Sequence, residues 1–147
     1  LQYATLSYEQ DIDGISCAKG AKAGFYQSGK LQFATLAADQ QLFGVPCAKS
    51  TVAGLYENGK LQYATLNTDR EINGIPCAKG TKVDFYESGN LQNATLSKEH
   101  RIGKTDCPKG AVVGMRESGT LKYLISGGSK ASFDENGNQR DTEKTAD

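Results

Sequence analysis

The chain has 147 residues, of which 17 are Lys or Arg and 17 are Asp or Glu, with one His and no Trp. Zero net charge argues against a dedicated nucleic-acid binder, which needs a basic stripe to displace counterions, and no apolar run approaches the roughly 20 residues of a membrane-spanning helix. At 37% apolar with 17 Gly, the chain is too weakly apolar for one large core and too rich in aliphatic and aromatic residues for disorder.

The first predicted element is the strand LQYATL at 1–6. It returns as LQFATL at 31–36, LQYATL at 61–66 and LQNATL at 91–96, with a decayed copy, LKYLIS, at 121–126. Cys17, Cys47, Cys77 and Cys107 keep the same spacing of 30, as do Gly29, Gly59, Gly89 and Gly119. One register held at so many positions marks a tandem repeat. The chain divides into units 1–30, 31–60, 61–90 and 91–120 and a shortened unit 121–138, forming one repeat domain (1–138), followed by a polar tail at 139–147 that we expect to fray. It starts with a strand but without a preceding Phe-Tyr-x-Ser-Gly, so we expect a processed piece whose first hairpin is incomplete. Removal of an upstream signal peptide would leave such a start.

The next element is a linking segment, such as NTDREINGIPCAKG at 67–80. The shortened unit indicates its role. Leu61 to Gly89 is 28 residues but Leu121 to Gly137 is 16, and the missing 12 are this segment, replaced by Gly127-Gly128. A stretch replaceable by a tight turn connects neighbouring strands. Ile12, Leu42, Ile72 and Ile102 within it are placed to fold over a core face.

The last element of each unit is a turn. GFYQSGKLQF, GLYENGKLQY and DFYESGNLQN put Ser-Gly or Asn-Gly between two strand-like runs, the mark of a two-residue hairpin. With Ser28-Gly29 at the tip, Gln27 faces Lys30, Tyr26 faces Leu31 and Gly24 faces Phe33. The equivalents of the last pair are Gly54 with Tyr63, Asp84 with Asn93, and Gly114 with Tyr123. Three times a glycine faces a ring. Where the glycine becomes Asp84, its partner becomes polar Asn93. A ring laid over a cross-strand glycine covers exposed backbone, so the paired change supports an antiparallel hairpin. Alternation puts Ala23, Phe25, Gln32, Ala34 and Leu36 on the core face and Tyr26, Leu31, Phe33 and Thr35 on the other, with Lys22 and Lys82 nearby.

These elements predict an all-β fold: tandem 30-residue repeats, two strands each, in an elongated antiparallel β-sheet meander. A β-helix or solenoid, with three strands and three corners per unit, is the alternative. The recurring Phe/Leu-Tyr-x-Ser/Asn-Gly-Lys/Asn-Leu resembles the hairpin unit of MORN and MORN-like repeats, most of all the bacterial YwqK-type repeat proteins, some described as antitoxin components. About ten residues of each unit carry it. The Gly-rich second half of a MORN unit is replaced here by Ile-x-Gly-x-Pro-Cys-x-Lys-Gly, which is similar to segments of an uncharacterised exported bacterial repeat family. The resemblance implies an elongated sheet used as a scaffold or binding surface, with no catalytic residues.

Among candidate sites, the cysteines allow three readings. In a meander, equivalent positions lie about 10 Å apart, beyond the roughly 7 Å Cα reach of a disulfide, and they are small buried apolar residues. In a β-helix, stacking at about 4.8 Å permits Cys17–Cys47 and Cys77–Cys107 bridges. Metal binding lacks the close Cys-x₂₋₄-Cys pairs of zinc sites. His100 is isolated and reads as a surface residue. Asp11 and Asp13 are not repeated and read as loop charge. Lys19, Lys49, Lys79 and Lys109 form either a basic row or solubilising turn charges. Asn93-Ala94-Thr95 matches a glycosylation sequon by pattern alone.

The binding candidates are aromatic: Tyr26, Tyr56 and Tyr86 at one height on successive units, near Phe33 and Tyr63. They suit stacking on sugars or receiving a peptide, against the plainer role of cross-strand pairs. No nucleophile elbow, phosphate loop or converging Ser/His/Asp set is present. We therefore expect a non-catalytic binding or scaffold module with no cofactor and a protein or cell-envelope polymer as partner. An antitoxin-like or assembly partner and a carbohydrate-binding surface protein are the alternatives. The even cysteine count agrees with export, periplasmic or cell-surface, over the cytoplasm.

Overall fold

The computed structural model describes residues 2–144, in which every regular element is a β-strand. The first unit holds β1 (Gln2–Thr5), β2 (Gln10–Ile12), β3 (Ile15–Cys17) and β4 (Lys22–Phe25). The second holds β5 (Leu31–Thr35), β6 (Gln40–Leu42), β7 (Val45–Cys47) and β8 (Val52–Leu55). The third holds β9 (Leu61–Thr65), β10 (Arg70–Ile72), β11 (Ile75–Cys77) and β12 (Lys82–Phe85). The fourth holds β13 (Leu91–Thr95), β14 (His100–Ile102), β15 (Thr105–Cys107) and β16 (Val112–Met115). β17 (Leu121–Ser126), β18 (Ser129–Phe133) and β19 (Gln139–Lys144) complete the chain.

Eleven strands form one sheet in the order β1-β4-β5-β8-β9-β12-β13-β16-β17-β18-β19. Its ladders are antiparallel throughout, so the fold is the meander and the β-helix is excluded. Gly127-Gly128 makes the expected tight turn, with both residues at positive φ and Ser126 paired to Ser129.

Three expectations need correction. The linking segments are not plain connections: each folds into its own two-stranded hairpin, β2-β3, β6-β7, β10-β11 or β14-β15, so a unit has four strands. The tips Asp13-Gly14 and Asn73-Gly74 have φ of 52° and 82°, and 51° and 79°, the mirror-image turn that Asp-Gly and Asn-Gly favour. Second, the main-sheet turn is wider than two residues. Gly29 N donates to Tyr26 O and Tyr26 N donates to Lys30 O, both at 2.9 Å. Gly24 does pair with Phe33, but Phe25 pairs with Leu31, leaving Gln32 as an extra residue. This bulge turns Leu31 to the core side, where it is buried, and Gln32 is only half-buried. Third, Gln139–Lys144 in the predicted tail forms a strand on β18. The rest of the tail, 145–147, and Leu1 lie outside the described residues.

The small hairpins cover one face of the sheet. Beneath them lie Leu36, Leu66 and Leu96, each bridged to Cys17, Cys47 or Cys77 of the preceding unit. Small buried residues on the sheet there, such as Ala23 and Ala34, leave room for the hairpin backbone to approach. Ile12, Leu42, Ile72 and Ile102 join or pack against the same cluster, as expected. The hairpins also bond the next unit: Ala48 N donates to Thr65 O and Ala78 N to Thr95 O, at 2.9 Å each. Among the described residues no polar or charged residue is fully buried, but the Gln32 side-chain oxygen is shut away without a hydrogen-bond partner. Each unit therefore completes its core only with its neighbour, as stacked repeats require.

Candidate binding faces

The opposite face of the sheet is open. Cross-strand register aligns one row across it: Tyr3, Gly24, Phe33, Gly54, Tyr63, Asp84, Asn93, Gly114 and Tyr123. The rings of Phe33, Tyr63 and Tyr123 lie over Gly24, Gly54 and Gly114; a Cβ at Gly24 would stand 2.7 Å from Phe33 Cδ2, inside contact distance. Glycine is needed there for space. Tyr3 meets Phe33 with ring centroids 5.9 Å apart. Lys22, Lys82 and Lys130 place their ammonium groups 4.9, 4.6 and 4.7 Å from the centroids of Tyr3, Tyr63 and Tyr123, a favourable cation–π distance.

The row changes chemistry at Asp84 and Asn93. Asn93 Nδ2 donates to Asp84 Oδ2 at 3.5 Å, Lys82 Nζ lies 3.6 Å from Asp84 Oδ1, and the Tyr123 hydroxyl donates to Asn93 Oδ1. Burial, and secondarily the Asp84 carboxylate, push the Tyr63 and Tyr123 hydroxyls above the usual tyrosine range. The sequon asparagine is thus engaged in this polar cluster.

Tyr26, Tyr56 and Tyr86 have a different job from Phe33 and Tyr63. Their hydroxyls donate to Leu55 O, Phe85 O and Met115 O at 2.6, 2.6 and 2.7 Å. Each acceptor belongs to the next unit, so each tyrosine staples two repeats. In the fourth unit Arg116 takes the place, donating to Phe133 O at 2.6 Å and Leu121 O at 3.0 Å. The exchange of Tyr for Arg hid this equivalence in the sequence. Burial, then a neighbouring glutamate (Glu57 beside Tyr26, Glu87 beside Tyr56), raises both phenol pKa values.

The four cysteines are free and buried, each the last residue of the second strand of a small hairpin. The thiols of Cys17, Cys47 and Cys77 donate to the carbonyl two residues back at 3.2–3.3 Å. Burial pushes Cys47 and Cys77 up to about 11. Among the described residues no three His, Cys, Asp or Glu side chains gather into a metal site, and no helix is long and apolar enough to cross a membrane.

The remaining candidates are dispersed. His100 sits in β14 opposite Cys107, half-buried. Asp11 is exposed, and Asp13 Oδ2 accepts from Leu31 N at 2.9 Å. Lys19, Lys49, Lys79 and Lys109 are all exposed at the loop between hairpin and sheet. Tyr3, Tyr8, Phe43 and Val52 are exposed large apolar residues that the sequence did not single out; Phe43 sits at the tip of β6-β7, where the other units carry Asp13, Asn73 and Gly103. Aligning the tips unit by unit finds Phe43.

No protein-family model matches this chain, and comparison with curated proteins finds no match. The binding reading therefore rests on the geometry of the two faces and the hairpin resemblance.

Proposed function

We propose that this protein is a non-catalytic binding scaffold whose open sheet face receives a protein or cell-envelope polymer. The supporting observation is the asymmetry of the sheet. The hairpins cover one face, while the other presents Tyr3, Phe33 and Tyr63 one unit apart and Tyr123 two units further on, with Val52 41% exposed beside them. Two main-sheet strands per unit set the one-unit step at about 10 Å, so an elongated ligand meets the same aromatic chemistry again across the first three units. The likeness of the hairpin to MORN-like and YwqK-type units supports the same role and favours a protein partner. Export to the envelope is part of this proposal, as is the absence of turnover.

The test places bulk on the open face without touching the core. Val52→Arg/Thr65→Arg should fold normally by circular dichroism yet lose binding on a glycan array and in crosslinking to a copurified protein. Ligand capture unchanged in that variant rejects the open face. Hydrolase or transferase turnover by the pure protein rejects the non-catalytic role.

A further inference from the structure

Asparagine followed by glycine deamidates readily, because a glycine nitrogen has no Cβ beside it to hinder attack on the asparagine amide. The chain has three such pairs, Asn58-Gly59, Asn73-Gly74 and Asn136-Gly137, and all three asparagines are exposed. Their surroundings differ.

At two of the pairs the reacting groups are held. Gly59 N donates to Tyr56 O at 2.8 Å, and Asn58 Oδ1 accepts from Lys60 N at 2.9 Å. Gly137 N donates to Asp134 O at 3.0 Å, and Asn136 N donates to Asp134 Oδ1 at 2.9 Å. Both pairs lie in turns of the main sheet. Asn73-Gly74 is the tip of the small hairpin β10-β11, whose strands have three residues each. Among the described residues neither Gly74 N nor the Asn73 side chain has a hydrogen-bond partner. The chain's one histidine adds a second difference. His100 lines two notches, of about 390 and 320 Å³; Gly74 lines both with it, and Asn73 lines the first.

We propose that Asn73 is a self-modifying site, converting in the folded protein to aspartate and isoaspartate ahead of Asn58 and Asn136, with His100 relaying protons through water. Gly74 N gives up its proton and bonds to Asn73 Cγ. The Cγ–Nδ2 bond breaks, and the amide nitrogen takes up a proton and leaves as ammonia. The resulting succinimide adds water at either carbonyl. Nothing is oxidised or reduced, and water is the only co-reactant. Ring closure requires the tip to leave its turn geometry, and this tip has no hydrogen bond to surrender at either reacting group. The aspartate product suits the fold: Asp13 holds the equivalent tip at a φ of 52° and accepts from Leu31 N. The isoaspartate product does not, because it adds a methylene carbon to the main chain of a two-residue turn. This site is separate from the open sheet face and does not depend on it.

The test incubates the full chain at neutral pH, native and in urea, and follows each Asn-Gly pair by peptide mass mapping, with heavy-oxygen water to mark ring opening. In urea the three sites should convert at similar rates. In the native protein Asn73 should lead the other two by about fivefold or more, the factor for one hydrogen bond that they must break first, and both products should appear at position 73. His100→Gln, checked for folding by circular dichroism, should slow native conversion of Asn73 several-fold and leave the rate in urea unchanged. Native conversion of Asn58 or Asn136 as fast as that of Asn73, or none at Asn73, overturns the site. An unchanged native rate in His100→Gln overturns the part given to the imidazole.

Discussion

On the covered face, Leu36, Leu66 and Leu96 are 1%, 0% and 1% exposed, and the same residue type recurs in each unit. On the open face, the aligned row reads Tyr3, Phe33, Tyr63 and then Asn93. Both faces belong to the same strands. The covered positions must match a hairpin backbone that repeats every unit, so a change there has to be answered by the neighbouring unit. The open positions answer only to their cross-strand partner, so they change in pairs, as Gly–aromatic becomes Asp84–Asn93. Stability is built on the covered face, while the open face is constrained by its own cross-strand pairs.

The sharpest challenge to this contrast is a pair of truncations on adjacent residues. Leu66→Ala should cost about 3 kcal/mol, because it opens a cavity beneath a hairpin, while Thr65→Ala on the open face should stay within about 0.5 kcal/mol. Urea denaturation checks both, and similar losses would remove the distinction between the faces.

Alkaline pH probes the covered face alone through its thiols. The ordinary thiol value is 9.0, and burial holds Cys47 and Cys77 at about 11. Between those values the unfolded chain has lost protons that the folded chain keeps, so stability is intact below pH 9 and declines toward pH 11. The loss should be on the order of 2 kcal/mol for each of the two thiols, and Cys47→Ala/Cys77→Ala should flatten the profile. The tyrosine hydroxyls are raised as well and act in the same direction, so the comparison must be made against that variant.

The staples test how the faces are tied together. Tyr56→Phe removes the donor to Phe85 O and should cost about 1 kcal/mol in chemical denaturation; no loss would make the hydroxyl contact incidental. The smallest effect is a gain. Phe43→Asn relieves the positive-φ strain and should raise stability by about 0.5–1 kcal/mol by the same measurement. A loss instead would show that the ring supports the fold and is not held at a cost.

Much of the architecture was legible because the repeat aligns each signal several times over. The Gly24–Phe33 pairing, the Gly127-Gly128 turn and the placing of Ile12 and Leu42 over the core all follow from comparing units. The register beyond Gly24 did not. Ser28-Gly29 looks like a two-residue tip, but only Gly29 takes a positive φ, and the bulge at Gln32 exchanges which neighbour faces inward. The linking hairpins were missed although Asp13-Gly14 and Asn73-Gly74 mark their tips, because strands of three residues are too short to show alternation.

For the candidate faces, the sequence singled out the aromatic residues but not their separate duties. Phe33 and Tyr63 cover glycines, whereas Tyr26 and Tyr56 reach into the next unit, and that division appears only when neighbouring units are in place. Arg116 as a staple and Phe43 as an exposed knob depend on the same placement.

By itself the sequence determined the period, the strand-and-turn grammar of each unit and the compensated Gly–aromatic pairs, because these are local or cross-strand constraints repeated along the chain. The tertiary structure decided which face the hairpins cover, which leucine enters the core and which tyrosine is spent on holding repeats together. Those outcomes depend on backbone bulges and on contacts about 30 residues apart, where unit meets unit.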